Sequence, residues 1–168
     1  MNRENEMRSI DDCVNGDKSI NFEVLQELDL YPLIDFTENQ ITELIELFGI
    51  DEFEVFADEI LVGKEDFYVG RTRVIHEAAI DKIMQDELVS DMYVLGGCTP
   101  SFIFECIDMD FDIIEEAQKH ENYVVLGLLL AKDIKAVQQK MVSWDGYGQH
   151  FNPYNGGDKL INKYYIFH

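Results

Sequence analysis

Apolar residues recur at helical spacing through most of this chain. Ile41, Leu44, Ile45 and Phe48 stand at i, i+3, i+4 and i+7, directly behind the capping-box pattern Thr37-Glu38-Asn39-Gln40. Gly49 suits the position after a helix end. Asp51, with Glu54 three residues on, then opens a second helix whose buried stripe is Phe53, Phe56, Ala57 and Ile60, and Gly63 closes it. The pattern predicts an αα-hairpin. A shorter helix is expected over Phe22 to Leu30, stopped by Pro32, behind a loose polar tail of residues 1–20.

Downstream the period changes. Asp66 to Val74 (DFYVGRTRV) mixes aromatic, β-branched and Gly residues and reads as a strand or extended connector. Ile75 to Leu88 returns to helix, with Ile80, Met84 and Leu88 on one side, and Met92 to Leu95 reads as a short strand closed by Gly96-Gly97. Pro100 fits the first position of a helix through Ile107, and Asp110 caps another to about Lys119. Tyr123 to Val142 is one or two helices with Gly127 as a weak point. From Trp144, turn signals at Asp145-Gly146-Tyr147-Gly148 and Asn155-Gly156-Gly157 predict an aromatic, Gly-rich loop, and Leu160 to His168 a terminal strand. The class is α+β: a mostly helical single domain over 21–168 with a small antiparallel sheet that includes the C-terminal strand. Its acidic helical hairpin occupies 21–63, and the aromatic loop and last strand 144–168.

Charge changes this picture from fold to partner. The 168 residues carry 34 acids against 13 Lys and Arg, a net charge of −21, yet 46% are apolar and 12% aromatic, which excludes an acidic disordered chain. The 45 residues between Lys18 and Lys64 hold 12 acids and no Lys or Arg, and Ile83 to Gln118 repeats the pattern with nine. Residues 132–168 instead carry five Lys against three Asp. A surface so one-sided repels nucleic acid and anionic membrane and attracts basic proteins. The longest apolar run, Tyr123 to Ala131, is less than half of the roughly 20 residues a membrane helix needs. Cys13, Cys98 and Cys106 lack metal-ligand spacing, so reduced thiols in a cytoplasmic setting are expected.

On the two capped helices the carboxylates avoid the apolar stripes. Glu43 and Glu46 fall on the outer side of the first; Glu52, Glu54, Asp58 and Glu59 fall on the outer side of the second. Neighbouring carboxylates on a helix face recur at about 5–6 Å, and duplex DNA presents one negative charge per about 1.7 Å of axis. Rows of such faces make a charge array that a DNA-binding cleft accepts in place of phosphates. Small size, acid excess and cation-free faces bearing Glu43, Glu46, Glu54, Asp58 and Glu59 resemble the acidic DNA-mimic proteins of phages and mobile elements, which include antirestriction and anti-CRISPR inhibitors. The ending Asp145-Gly146-Tyr147-Gly148-Gln149-His150-Phe151, with Tyr164-Tyr165-Ile166-Phe167 after it, is similar to the endings of some phage-encoded proteins.

The resemblance implies a non-enzymatic, phage- or mobile-element-encoded inhibitor in the host bacterial cytoplasm, without cofactor or metal. It would bind the basic DNA-binding surface of a defence nuclease and no nucleic acid directly. The expected partner-binding acids are Glu38, Glu43, Glu46, Asp51, Glu52, Glu54, Asp58 and Glu59, with Glu105, Asp108, Asp110, Asp112, Glu115 and Glu116 from the second window. Trp144, Tyr147 and Phe151 are the anchors of an alternative, an adaptor that binds through the aromatic loop while acidity serves solubility. An exposed terminal strand or apolar face leaves room for a homodimer.

Enzyme signals are thin. Cys98 precedes a helix start, where a thiol pKa falls, and His76, His120 or His150 supplies a conceivable base, but Thr99 as cap and Pro100 at the first helical position explain the segment without catalysis. Asp108-Met109-Asp110-Phe111-Asp112 imitates a calcium loop but has Ile113 in place of its Gly and Lys119 in place of its Glu. His76-Glu77 lacks the second His of a zinc-protease helix, since residue 80 is Ile80.

Overall fold

The computed structural model describes residues 33, 35–152 and 157–167. The expected tail and first helix, Cys13, and the Asn155-Gly156 turn lie outside them. The fold is α+β, predominantly helical, and its contacts divide into two compact units: residues up to His76 with Lys159–Ile166, and Glu77–Asp158 with Phe167.

The first unit sets two helices on a sheet. α1 (Glu38–Phe48) starts from the expected capping box, in which Gln40 N donates to Thr37 Oγ1 at 3.3 Å and Thr37 N donates to Gln40 Oε1 at 2.9 Å. α2 (Ile50–Leu61) follows after one residue. Gly49, at φ +80°, donates its N–H to Ile45 O and accepts from Phe53 N, so it ends one helix and starts the next. The helix thus starts one residue before Asp51, which lies in its first turn. Only Gly adopts that φ at little cost, which is what permits so short a connection.

The sheet has the order β1-β2-β4-β3, with β1 (Asp66–Val69), β2 (Thr72–His76), β3 (Lys159–Ile161) and β4 (Tyr164–Phe167). β1 and β2 pair antiparallel with Phe67 opposite Val74; β3 and β4 pair antiparallel with Leu160 opposite Tyr165. The stretch Asp66 to Val74 and the one from Leu160 onward, each read from the sequence as a single extended segment, are thus hairpins, and turns at Gly70-Arg71 and Asn162-Lys163 supply the reversals. Phe67, Val69, Val74, Ile161 and Ile166 face a core shared with Ile41, Leu44, Phe48, Phe53 and Phe56. Phe56 is its hub: the rings of Phe36, Phe48, Phe53, Phe67 and Tyr164 lie 5.6–6.2 Å from it.

The second unit is helical: α3 (Glu77–Ser90), α4 (Met92–Gly96), α5 (Pro100–Cys106), α6 (Phe111–Lys119), α7 (Tyr123–Leu130), α8 (Ile134–Asp145) and α9 (Gly148–Phe151). Ile80, Met84 and Leu88 form the buried stripe of α3, as their spacing predicts. Met92–Gly96 is a helix and not the expected strand, because the Asp91 carboxylate accepts from Tyr93 N at 3.0 Å and Val94 N at 3.1 Å and caps a helical turn. Gly127 is not a weak point either. A Cβ on Gly127 would lie 2.0 Å from Met92 O, and one on Gly96 1.8 Å from Tyr123 O, so both glycines let α4 and α7 touch backbone to backbone. The chain breaks later, in a 3-10 turn at Ala131–Asp133. The expected loop from Trp144 is largely helical, since Trp144 and Asp145 end α8 and residues 148–151 form α9. Among the described residues no helix is long and apolar enough to cross a membrane.

Candidate acidic interface

The carboxylates of α1 and α2 sort by helical geometry. Burial of Ile41, Leu44 and Phe48 turns Glu46 outward on α1; burial of Phe53, Phe56, Ala57 and Ile60 turns Asp51, Glu54 and Asp58 outward on α2, one turn apart in sequence. Among the described residues Glu38, Glu46, Asp51, Glu52, Glu54 and Asp58 have no cationic partner. Two acids expected in this set are neutralised. Lys159 Nζ lies 2.6 Å from Glu43 Oε1, and Lys64 holds the buried Oε2 of Glu59. The lysine that reaches Glu43 comes from the closing third of the chain, whose positive excess thereby neutralises one acid of α1.

The second set belongs to the other unit and is thinner. Lys140 Nζ donates to Glu105 Oε2 at 2.7 Å, and that bond raises the lysine's pKa. Glu116 accepts from Lys119 at 3.2 Å and meets His120 Nε2 at 3.0 Å; the lysine bond first, then the histidine, holds its carboxyl below the ordinary value. Asp108, Asp110, Asp112 and Glu115 are exposed, with no cation partner among the described residues. Asp110 sits at the start of α6 as expected but makes no side-chain cap bond.

Of the three aromatic anchors, the structure leaves only Trp144 substantially on the surface, 44% exposed with its ring edge-on to Phe102 at 5.4 Å. Tyr147 and Phe151 are partly buried against the second core, and Tyr147 donates its hydroxyl to Asp81 Oδ1 at 2.5 Å. The same carboxylate oxygen accepts from the buried Gln138 at 2.8 Å. This network ties Tyr147 to α3, while Phe151 is held by packing against the second core.

The thiol next to the α5 start is not activated. Burial pushes Cys98 from 9.0 up to about 11, with the neighbouring Cys106 adding to the rise. Two of the candidate bases bond elsewhere, His120 to Glu116 and His150 Nε2 to Glu87 Oε2 at 3.0 Å, and the His76 ring lies edge-on to Tyr164 at 5.0 Å. A two-unit rise leaves about 100-fold less thiolate than an unperturbed cysteine has below pH 9. Iodoacetamide labelling followed by mass spectrometry is expected to modify Cys98 about 100-fold more slowly than a free cysteine at pH 8, with the rate climbing tenfold per pH unit. Fast labelling at neutral pH would revive a catalytic thiol. Among the described residues no group of three His, Cys, Asp or Glu side chains is placed to hold a metal ion.

Two surface features escape sequence reading. Tyr93, Val94, Val124, Val125 and Leu128 form exposed apolar positions on α4 and α7, foreshadowed only by a glycine inside the apolar run of α7. Val55 and Val62 stand exposed among the acids of α2. No protein-family model matches this chain, nor does any curated protein or solved structure.

Proposed function

We propose that this protein is an acidic inhibitor that occupies the basic, DNA-binding surface of another protein, with α1 and α2 standing in for a stretch of phosphate backbone. The observation that carries the reading is the set Glu46, Asp51, Glu54 and Asp58, turned outward and without a cation partner among the described residues. Like charges at i and i+4, such as Glu54 and Asp58, destabilise a helix by about 0.2–0.5 kcal/mol per pair. Lysines relieve such charge at Glu43 and Glu59 of these helices, but among the described residues none reaches Glu46, Asp51, Glu54 or Asp58. A basic cleft recovers that energy on binding, through Coulomb attraction and release of the counterions held by both surfaces.

The target class follows from the same chemistry. A protein built to hold phosphates is the basic surface a dense anionic face fits, and the resemblance to phage and mobile-element inhibitors makes a bacterial defence nuclease the proposed member of that class. The protein works by occupancy in the host cytoplasm, without chemistry of its own. A pull-down from bacterial lysate tests this. At low salt a nucleic-acid-binding protein is expected on the resin, and raising the salt from about 50 to 200 mM is expected to weaken its retention at least tenfold, in line with the steep salt dependence of phosphate contacts. Retention insensitive to salt, or capture only of proteins that lack nucleic-acid affinity, would remove the reading.

A further inference from the structure

The outer face of α2 is not uniformly anionic. Val55 is 44% exposed, and its neighbours on the helix surface at −4, −3, +3 and +4 are Asp51, Glu52, Asp58 and Glu59, all acids. Val62, 71% exposed just past the last turn, sits seven residues further on, beside Asp58 and Glu59 by the same spacing. Two apolar positions therefore lie about 10 Å apart along one helix face, framed by carboxylates of which only Glu59 has a lysine partner. A purely electrostatic imitation of DNA has no use for apolar points at its centre.

We infer that this face docks a basic amphipathic helix of the partner protein, which seats apolar side chains on Val55 and Val62 while its flanking Lys and Arg meet Asp51, Glu52 and Asp58. The inference rests on the function proposed above and adds the shape of the contact. An interval of seven residues is the repeat at which one helix meets another, which favours a helical occupant over an extended one. Charge complementarity selects its flanks. The same rule excludes a second copy of this chain, whose matching face would bring carboxylate against carboxylate. An apolar centre inside a charged rim is also the usual anatomy of a protein interface, where the centre holds the complex and the rim steers it.

The test uses two synthetic peptides of identical composition: one with Leu at helical i, i+3 and i+7 positions flanked by Lys and Arg, the other with the order shuffled so that charge is kept and the apolar face dispersed. Fluorescence anisotropy with the whole protein is expected to give at least tenfold tighter binding of the ordered peptide. Val55→Thr with Val62→Thr, which keeps side-chain shape, is expected to abolish that preference, as is Val55→Gln with Val62→Gln, which also keeps helix propensity. In about 1 M salt, where charges are screened beyond about 3 Å, only the ordered peptide on the unmodified protein is expected to retain binding. Equal affinity for the two peptides, a preference that survives both valine variants, or no binding of either peptide overturns the inference. Equal affinity that is lost on reversing the carboxylates would overturn the apolar anchor while leaving the electrostatic reading in place. Salt-insensitive retention in the lysate pull-down would remove that reading itself.

Discussion

Reversing four carboxylates together, Glu46→Lys, Asp51→Lys, Glu54→Lys and Asp58→Lys, is expected to weaken binding to the basic target by about 100-fold or more while the fold survives. An exposed ion pair contributes about 0.2–1 kcal/mol, so four lost pairs amount to about 1–4 kcal/mol, and 1.4 kcal/mol is a factor of ten in affinity. Reversal adds repulsion on top. Glu46, Asp51 and Asp58 are exposed and Glu54 is half-buried, and none of the four holds a cation partner among the described residues, so little native structure depends on them. The largest intrinsic penalty falls on Asp51, in the first turn of α2, where a cation opposes the helix dipole by about 0.3–1 kcal/mol. Circular dichroism and inhibition of DNA cleavage by the captured target check the two halves of the expectation. Unchanged inhibition by a folded quadruple variant contradicts the account. Glu43 and Glu59 are poor choices for this experiment, because each already holds a lysine.

Gly127→Ala, like Gly96→Ala, is expected to be strongly damaging to the second unit, destabilising it by about 3 kcal/mol or more. Helix propensity alone predicts the opposite sign, since Ala is favoured over Gly by about 1 kcal/mol in a helix interior. The geometry decides. A methyl group at residue 127 would sit 2.0 Å from Met92 O and 2.8 Å from Met92 C, and the obstacle is backbone, which cannot rotate away. Relief requires α4 and α7 to separate, which opens the core where Leu95, Leu126 and Leu130 are packed. Urea unfolding followed by far-ultraviolet circular dichroism checks the value; a midpoint at or above that of the unmodified protein would show that the two helices do not cross so closely.

Gly127 also marks where sequence reading stops. A glycine inside an apolar helical run signals either a break or a close approach, and only the position of the other backbone distinguishes them. The capping box at Thr37 and the stripe Phe53, Phe56, Ala57 and Ile60 were legible because their signals are local: hydrogen bonds within one turn and a fixed period. Met92 to Leu95 was misleading because a four-residue apolar run fits both periods, and a single capping carboxylate at Asp91 tips it to helix. The hairpin at Asp66–His76 was half legible, its composition extended but its reversal hidden in Gly70-Arg71.

The candidate interface divides in the same way. Which carboxylates turn outward on α1 and α2 follows from the apolar stripe, so Glu46, Asp51, Glu54 and Asp58 could be read from spacing. Which of them keep their charge could not. The pairing of Glu43 with Lys159 joins residues from opposite ends of the described chain, and the sheet that brings β3 beside β4 creates it. Burial of Tyr147 and Phe151 has a similar origin, in a contact with Asp81 and the second core that no local pattern encodes.

The most direct measurement follows labelled duplex DNA bound to the purified target while this protein is titrated in. The account predicts full release of the DNA, with the two ligands mutually exclusive and the required concentration rising as salt is added. A ternary complex, with the DNA signal unchanged while this protein is bound, would contradict it.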